Sequence, residues 1–511
     1  MTANLRMQTG NSLNDARHRF GGSLFRIAAV VMLLSFAAVW ESLQLSSLEN
    51  QEIWSHLRIG SWILQNKSWP EVGLFSTAAN HPWRDLHWGY DALVAAGYRI
   101  LGLRVIPGLM MCFRLALAVL TFFLAGGRRK LWSAVALSAV AQYVLAYLGP
   151  DSASMSVLFF GITLLLLLTA RRSGKQRVLF VLPVMFLVWA NLDIGFIYGT
   201  ALYLLFLTAL LFVQVSVVRK GQLPEQLSRK IPVRTAALVG AGSLLATLVN
   251  PYSYYAYGAF FADQNNAANS YLPDYNAMRF HQPQDYLLLL LAMATLCVLG
   301  MRRTRDPFSI GVLLGCLILA FYAQRDTWLV TLAAVAFIGD SITQASSTAV
   351  PEKVGLSRSQ EIRAVFAAVV IAVVAFAVFV PRDHKTLLAK IAKHYPVRAS
   401  EYIRQHHLPA PLFNSYAWGG FLTWYLPEYS VAIDGRRGLY PQDEEVDYFK
   451  VMKADIPYQL YPPMSLARTL LLNKTEVMAE ALRTLPGFQV AYEDDISVVL
   501  LQERQNDGRG L

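Results

Sequence analysis

Apolar runs of roughly 15 to 23 residues recur along this chain from Leu24 to Pro381, each close to the ~20 residues an α-helix needs to cross the hydrocarbon of a bilayer. After Pro381 the runs stop. The 511 residues are 55% hydrophobic and 15% charged, and the mean hydropathy is +0.37, far more apolar than a soluble chain of this length. The pattern predicts an α-helical polytopic membrane protein.

The formal charge of +11 does not indicate nucleic acid, because the basic residues gather in short loops between apolar runs, where they act as a topology signal. Arg6, Arg17, Arg19 and Arg26 place residues 1–23 in the cytoplasm as an N-terminal tail. The first run, about Leu24 to Leu43, lies behind that polar tail without a small-residue cleavage pattern and is expected to stay as an anchor. Residues 45–105 then form a first outer loop. Within it Ile53 to Leu64 and Trp88 to Leu101 have helical periodicity but carry charges, and read as short interfacial helices. A crossing by the second would put Arg128, Arg129 and Lys130 outside.

From Ile106 onward the basic clusters alternate with outward turns, and the count gives about eleven spans within a membrane domain of residues 24–381. The N-terminus is expected inside and the C-terminus outside. Residues 382–511 read as a small extracytoplasmic α/β domain. Its predicted elements are a helix over Arg398 to His407, a strand over Ser430 to Ile433, a helix over Thr475 to Thr484 with Thr475 as N-cap, and a hairpin of Phe488 to Tyr492 with Ile496 to Leu501. Cys112, Cys297 and Cys316 lie in apolar runs and read as small buried hydrophobes.

This topology gathers carboxylates on the outer side: Glu52, Asp151, Asp193, Asp274 and Asp326. Glu52 is the leading candidate, because Trp54 and His56 accompany it in a stretch too polar to enter a bilayer, and a cleft lined by aromatics raises a carboxyl pKa. Converging carboxylates can hold a divalent cation, Mg²⁺ or Mn²⁺, with Glu52 and Asp151 as its candidate ligands. Alternatively one acts as general base on an acceptor hydroxyl. The plainer reading is that loop acids are solvated. His56 can ligand a metal, bind phosphate, or pair with Glu52 one turn away. His87 and Trp88 are site lining or headgroup anchors. Arg114, within an apolar span, needs a counter-ion such as a phosphate or one of the acids. Arg325, at an outer turn, can hold a lipid phosphate through its fork of donors or snorkel to the surface.

These residues resemble the bacterial multi-span proteins of the GT-C glycosyltransferase superfamily, relatives of protein O-mannosyltransferases, oligosaccharyltransferases and aminoarabinose transferases. The similarity lies in Glu52-Ile53-Trp54-Ser55-His56-Leu57, Gly60, Trp62-Ile63, Pro70, Phe75-Ser76, Pro82-Trp83 and His87-Trp88, then Trp189 to Asp193, Asn250-Pro251-Tyr252 and Ile433-Asp434-Gly435-Arg436. The chain departs from the pattern in having Glu at 52 where Asp is usual, Asp193 in place of His and Ser253 in place of Gly. The resemblance implies an inverting transferase of the bacterial cytoplasmic membrane. It would move a sugar from a polyprenyl-phosphate-linked donor to a glycan, lipid or protein acceptor in the cell envelope, with Glu52 and Asp151 catalytic and His56, Trp54, His87, Trp88, Arg114, Asp193 and Arg325 binding substrate. Two rival readings are a carrier or flippase for a lipid-linked or anionic substrate, and a non-catalytic envelope scaffold.

Overall fold

A computed structural model describes residues 2–220, 231–301, 306–345 and 355–503. Among the described residues, fourteen α-helices precede the C-terminal domain: α1 Thr2–Gln44, α2 Glu52–Asn66, α3 Trp88–Leu101, α4 Val105–Leu124, α5 Leu131–Val144, α6 Ala153–Ser173, α7 Leu182–Leu192, α8 Phe196–Lys220, α9 Val233–Thr247, α10 Tyr255–Gln264, α11 Pro283–Met301, α12 Pro307–Tyr322, α13 Thr327–Ala345 and α14 Arg358–Phe379. Among the described residues, seven helical stretches are long and apolar enough to cross a membrane, and four shorter apolar helices accompany them. Each predicted apolar run coincides with one of these helices. The bundle turns large apolar side chains outward, among them Phe25 and Phe36 on α1 and Ile362 and Phe366 on α14. Such a surface is stable against lipid and not against water. Cys112 and Cys297 belong to that outer surface and are exposed, contrary to expectation, while Cys316 is buried.

The two charged helices of the first loop form as the periodicity predicts, but they are not lone interfacial helices. They pack on each other, and α3 runs through one 3₁₀ turn into α4, with Gly102 at φ 59°. Gly60 makes the α2–α3 contact possible: a Cβ there would stand 1.9 Å from the carbonyl oxygen of Asp91.

The C-terminal domain carries a four-stranded sheet in the order β1-β2-β4-β3, built from β1 Leu412–Asn414, β2 Thr469–Asn473, β3 Phe488–Glu493 and β4 Ser497–Gln502. The β1–β2 pairing is parallel and the other two are antiparallel, so the predicted terminal hairpin is present at one end of the sheet. The predicted helix at Arg398 forms over Val397–Gln405. The predicted helix at Thr475 begins at Val477 instead, with Glu476 as its N-cap; the Glu476 carboxylate accepts from Ser415 Oγ at 2.5 Å.

The strand expected over Ser430 to Ile433 does not join the sheet. Its backbone pairs with the first loop: Val431 N donates to Phe75 O at 3.1 Å, and Thr77 N donates to Val431 O at 2.9 Å. The loop and the distal domain also share an apolar core in which Trp54 meets Tyr395, Phe421 and Trp424 with ring centroids 4.9 to 5.5 Å apart. Residues 45–105 therefore fold as one unit with the sheet domain, at one end of the bundle.

Candidate active site

The N-terminus of α2 is set by Asn50, whose side-chain oxygen accepts from the backbone N–H groups of Glu52 and Ile53, both at 3.0 Å. This satisfies two of the free donors at the helix start and fixes where Glu52 points. Glu52 keeps contact with solvent, yet protein surrounds it closely enough that loss of bulk water is the main influence on its carboxyl. That loss raises its pKa, against the pull of His56 and Arg437 and with the push of Asp274 and Asp193.

One turn along α2, His56 is buried. Its Nδ1 lies 2.6 Å from Asp91 Oδ1 on α3, and Nε2 has no partner. Burial holds the imidazole below its ordinary pKa. In the neutral form the Nδ1 proton is assigned to Asp91, leaving Nε2 as an acceptor. Beside it Asp85 is also buried, and burial together with the neighbouring Asp91 carboxyl pushes Asp85 up to about 8.

Asp151 caps α6 by accepting from Ser154 N at 3.0 Å, and Tyr90 OH ties that turn to α3 by donating to Pro150 O at 2.8 Å. Burial and then the Glu52 carboxylate push Asp151 up to about 8. Two crowded like charges are what a cation relieves. Among the described residues, however, no three His, Cys, Asp or Glu side chains gather as a metal site.

A second group faces these acids from the other side. Asp263 of α10 accepts from Arg437 Nε at 2.7 Å through one oxygen and from Arg325 Nη1 at 3.4 Å through the other. The two guanidinium groups also lie against one ring, Tyr275, at 4.6 and 3.9 Å from its centroid. Arg437 comes from the C-terminal domain and Arg325 from the turn Gln324–Asp326 between α12 and α13. Of this group, Arg437 and Tyr275 lie within electrostatic reach of Glu52.

Other predicted residues lie elsewhere. Trp54 is fully buried in the aromatic core and has no surface for a substrate. Arg114 directs its guanidinium to the carbonyls of Leu145, Ala146 and Leu148 at 2.9, 2.6 and 2.9 Å. Its hydrogen bonds thus go to carbonyls in and just after the 3₁₀ turn Leu145–Tyr147, while two acids, Glu41 and Asp151, lie within electrostatic reach. Asp193 accepts from Ser152 Oγ at 2.8 Å, Gly195 N at 2.8 Å and Ser156 Oγ, and His87 Nε2 stands 3.6 Å away. Its carboxylate is thus occupied in fastening α6 to the α7–α8 turn. His87 is partly exposed at the edge of the cleft. Trp88 Nε1 donates to Asn191 Oδ1 at 3.2 Å, an anchor for the start of α3. Asp326 is buried and accepts from Tyr198 OH at 2.9 Å.

Sequence reasoning missed Asp85, Asp91, Asp263, Tyr275 and Arg437. The one available signal was Arg437 itself, which follows the Ile433-Asp434-Gly435-Arg436 motif. Arg436 is the structural member of the pair: it binds Asp434 at 2.7 Å and donates to Leu74 O at 2.6 Å, which leaves Arg437 free to enter the site.

No family model matches the chain, and no curated protein does. Among solved structures, the archaeal oligosaccharyltransferase AglB from Archaeoglobus fulgidus, in complex with an inhibitory peptide and a dolichol-phosphate, is similar with a TM-score of 0.51 at 12% identity, over 88% of this chain and 69% of that one. The fold is similar to that of AglB. ArnT from Cupriavidus metallidurans bound to undecaprenyl phosphate gives a TM-score of 0.47 at 12% identity, over 94% of this chain and 98% of that one. At 12% identity the similarity to AglB is one of fold.

Proposed function

We propose that the protein transfers a sugar from a polyprenyl-phosphate-linked donor to an acceptor hydroxyl at the outer face of the cytoplasmic membrane, with inversion at the anomeric carbon. The observation that carries this reading is Glu52, a solvent-reachable carboxylate at the start of α2 within electrostatic reach of Arg437, on a bundle similar in fold to AglB. AglB, whose fold is similar, binds a dolichol-phosphate, which supports a lipid-linked partner here.

In this reading the acceptor oxygen attacks the anomeric carbon while Glu52 takes its proton. The bond from that carbon to the phosphate oxygen breaks, and the electron pair leaves with the lipid phosphate. Arg325, already beside Tyr275 and Asp263, is the donor fork that receives the developing charge. A raised pKa brings Glu52 toward the basicity a general base needs near neutral pH. Its ionised fraction, and with it the transfer rate, rises with pH. Glu52 and Asp151 are the pair that would hold Mg²⁺ or Mn²⁺, whose chemistry there is to offset charge on the leaving phosphate.

The test uses membranes containing the full chain, a panel of undecaprenyl-phosphate sugars with labelled sugar, and mass analysis of the products. Glu52→Gln is expected to abolish transfer while Arg114→Lys keeps most of it. Full transfer by Glu52→Gln sinks the role of Glu52. Transport of the lipid-linked sugar without transfer turns the reading to a carrier.

A further inference from the structure

Between the ends of α5, α11 and α13 lies a cavity of about 260 Å³. Its polar lining comes from three glutamines, Gln282, Gln284 and Gln324, with the hydroxyls of Tyr147 and Thr327, which bond each other at 2.9 Å. Val144, Met278 and Leu288 supply an apolar side. No Lys, Arg or His lines the space. The single acid, Asp285, already accepts from His281 N and Gln282 N, both at 3.1 Å, so it is held by the backbone at the start of α11. The amide oxygen of Gln284 is buried without a hydrogen-bond partner, an unfavourable state unless something supplies a donor.

Two of the lining residues, Gln324 and Tyr147, lie near the charged site. Gln324 shares its turn with Arg325 and donates its backbone N–H to Asn276 O at 3.0 Å, close behind Asp274 and Tyr275. Tyr147 precedes the turn that carries Asp151 and lies within electrostatic reach of Asp151, Asp274 and Asp326. The cavity therefore adjoins the turn that carries Arg325, the cation assigned to the phosphate, and lies within electrostatic reach of Asp151.

We propose that this cavity seats one uncharged pyranose ring, the sugar of the donor, and that Gln284, Gln324 and Thr327 select it. The inference rests on the transferase reading and goes beyond it by naming the sugar class and the residues that read it. Amides and hydroxyls both donate and accept, which matches a ring of sugar hydroxyls, and the apolar side meets the C–H face of the ring. Without a cation in the lining, a carboxylate or phosphate on the sugar has nothing to neutralise it. The volume lies just below the ~300 Å³ at which sites for drug-sized ligands begin, room for a single ring and not for an oligosaccharide.

The experiment measures binding to the full chain in nanodiscs by native mass spectrometry, with undecaprenyl phosphate and its glucosyl, mannosyl and glucuronyl esters as probes. At least one neutral hexosyl lipid is expected to bind about tenfold more tightly than the bare lipid, and the glucuronyl lipid no more tightly. Gln324→Leu, at a partly exposed turn, and Thr327→Val should each remove that gain while leaving bare-lipid affinity unchanged; melting curves show whether each variant is folded. Equal binding of neutral hexosyl and bare lipids, equal binding of the glucuronyl lipid, or a gain that survives in folded variants overturns the proposal. Failure of every lipid, bare or glycosylated, to bind instead removes the transferase reading on which it rests.

Discussion

His56 Nδ1 and Asp91 Oδ1 meet at 2.6 Å across two helices that touch only because residue 60 has no side chain. Both groups are buried, so neither can exchange its partner for water. Asp91→Ala leaves the imidazole N–H unpaired and is expected to cost about 1–3 kcal/mol of stability. Chemical denaturation of wild type, Asp91→Ala, His56→Phe and the double variant checks it. In the double variant, with both partners gone, part of that loss should return.

Gly60→Ala tests the same contact from the backbone side. An added Cβ falls 1.9 Å from the Asp91 carbonyl, so α2 and α3 must separate. We expect destabilisation of about 1–3 kcal/mol together with loss of transfer, read by melting temperature and by product formation.

Trp54→Ala should behave as a core lesion and not as a binding lesion. The indole is fully buried among Tyr395, Phe421 and Trp424, and its removal is expected to cost about 3–5 kcal/mol. Trp54→Phe should recover most of the stability, and its KM for the lipid-linked donor should match wild type. A folded Trp54→Phe protein with an unchanged melting temperature and a tenfold higher KM would contradict this.

Asp85 supplies a pH dependence whose sign follows from its shift. Burial raises the carboxyl from 3.8 to about 8, so between those values the folded chain binds more protons than the unfolded one. Stability therefore falls as pH rises across that window. Melting temperature is expected to decline from pH 5 to pH 8, with a shallower decline in Asp85→Asn, measured in the same detergent at each pH.

Asp263 joins a cation of the bundle, Arg325, to a cation of the terminal domain, Arg437. A double-mutant cycle of Asp263→Asn with Arg437→Gln is expected to give a coupling of about 1 kcal/mol, since the pair is partly exposed and screened. Proteolysis between residues 381 and 412 should be faster in Asp263→Asn than in wild type.

The bundle was legible because each span is a long apolar run flanked by charge, a pattern that one stretch of chain carries by itself. The sheet was less so. β1 and β2 are short, and their pairing depends on residues more than fifty positions apart, while Val431 has the composition of a strand but pairs with the first loop. Glu52, His56 and Asp151 could be chosen because an acid or imidazole beside a span is unusual. Arg114 and Arg325 look alike in sequence, each an arginine against an apolar helix, and only the three carbonyls at the end of α5 separate them. Arg437 and Asp263 could not be paired from sequence, since no local pattern links the two positions.

The backbone pairing of Phe75 and Thr77 with Val431 has a consequence for how the chain is made. Glu52 emerges from the ribosome early, but the surface that encloses it is translated hundreds of residues later. Until then Trp54 has no aromatic core to enter, since Tyr395, Phe421 and Trp424 all follow the bundle in the chain. The packing around α2 is finished only at the end of synthesis.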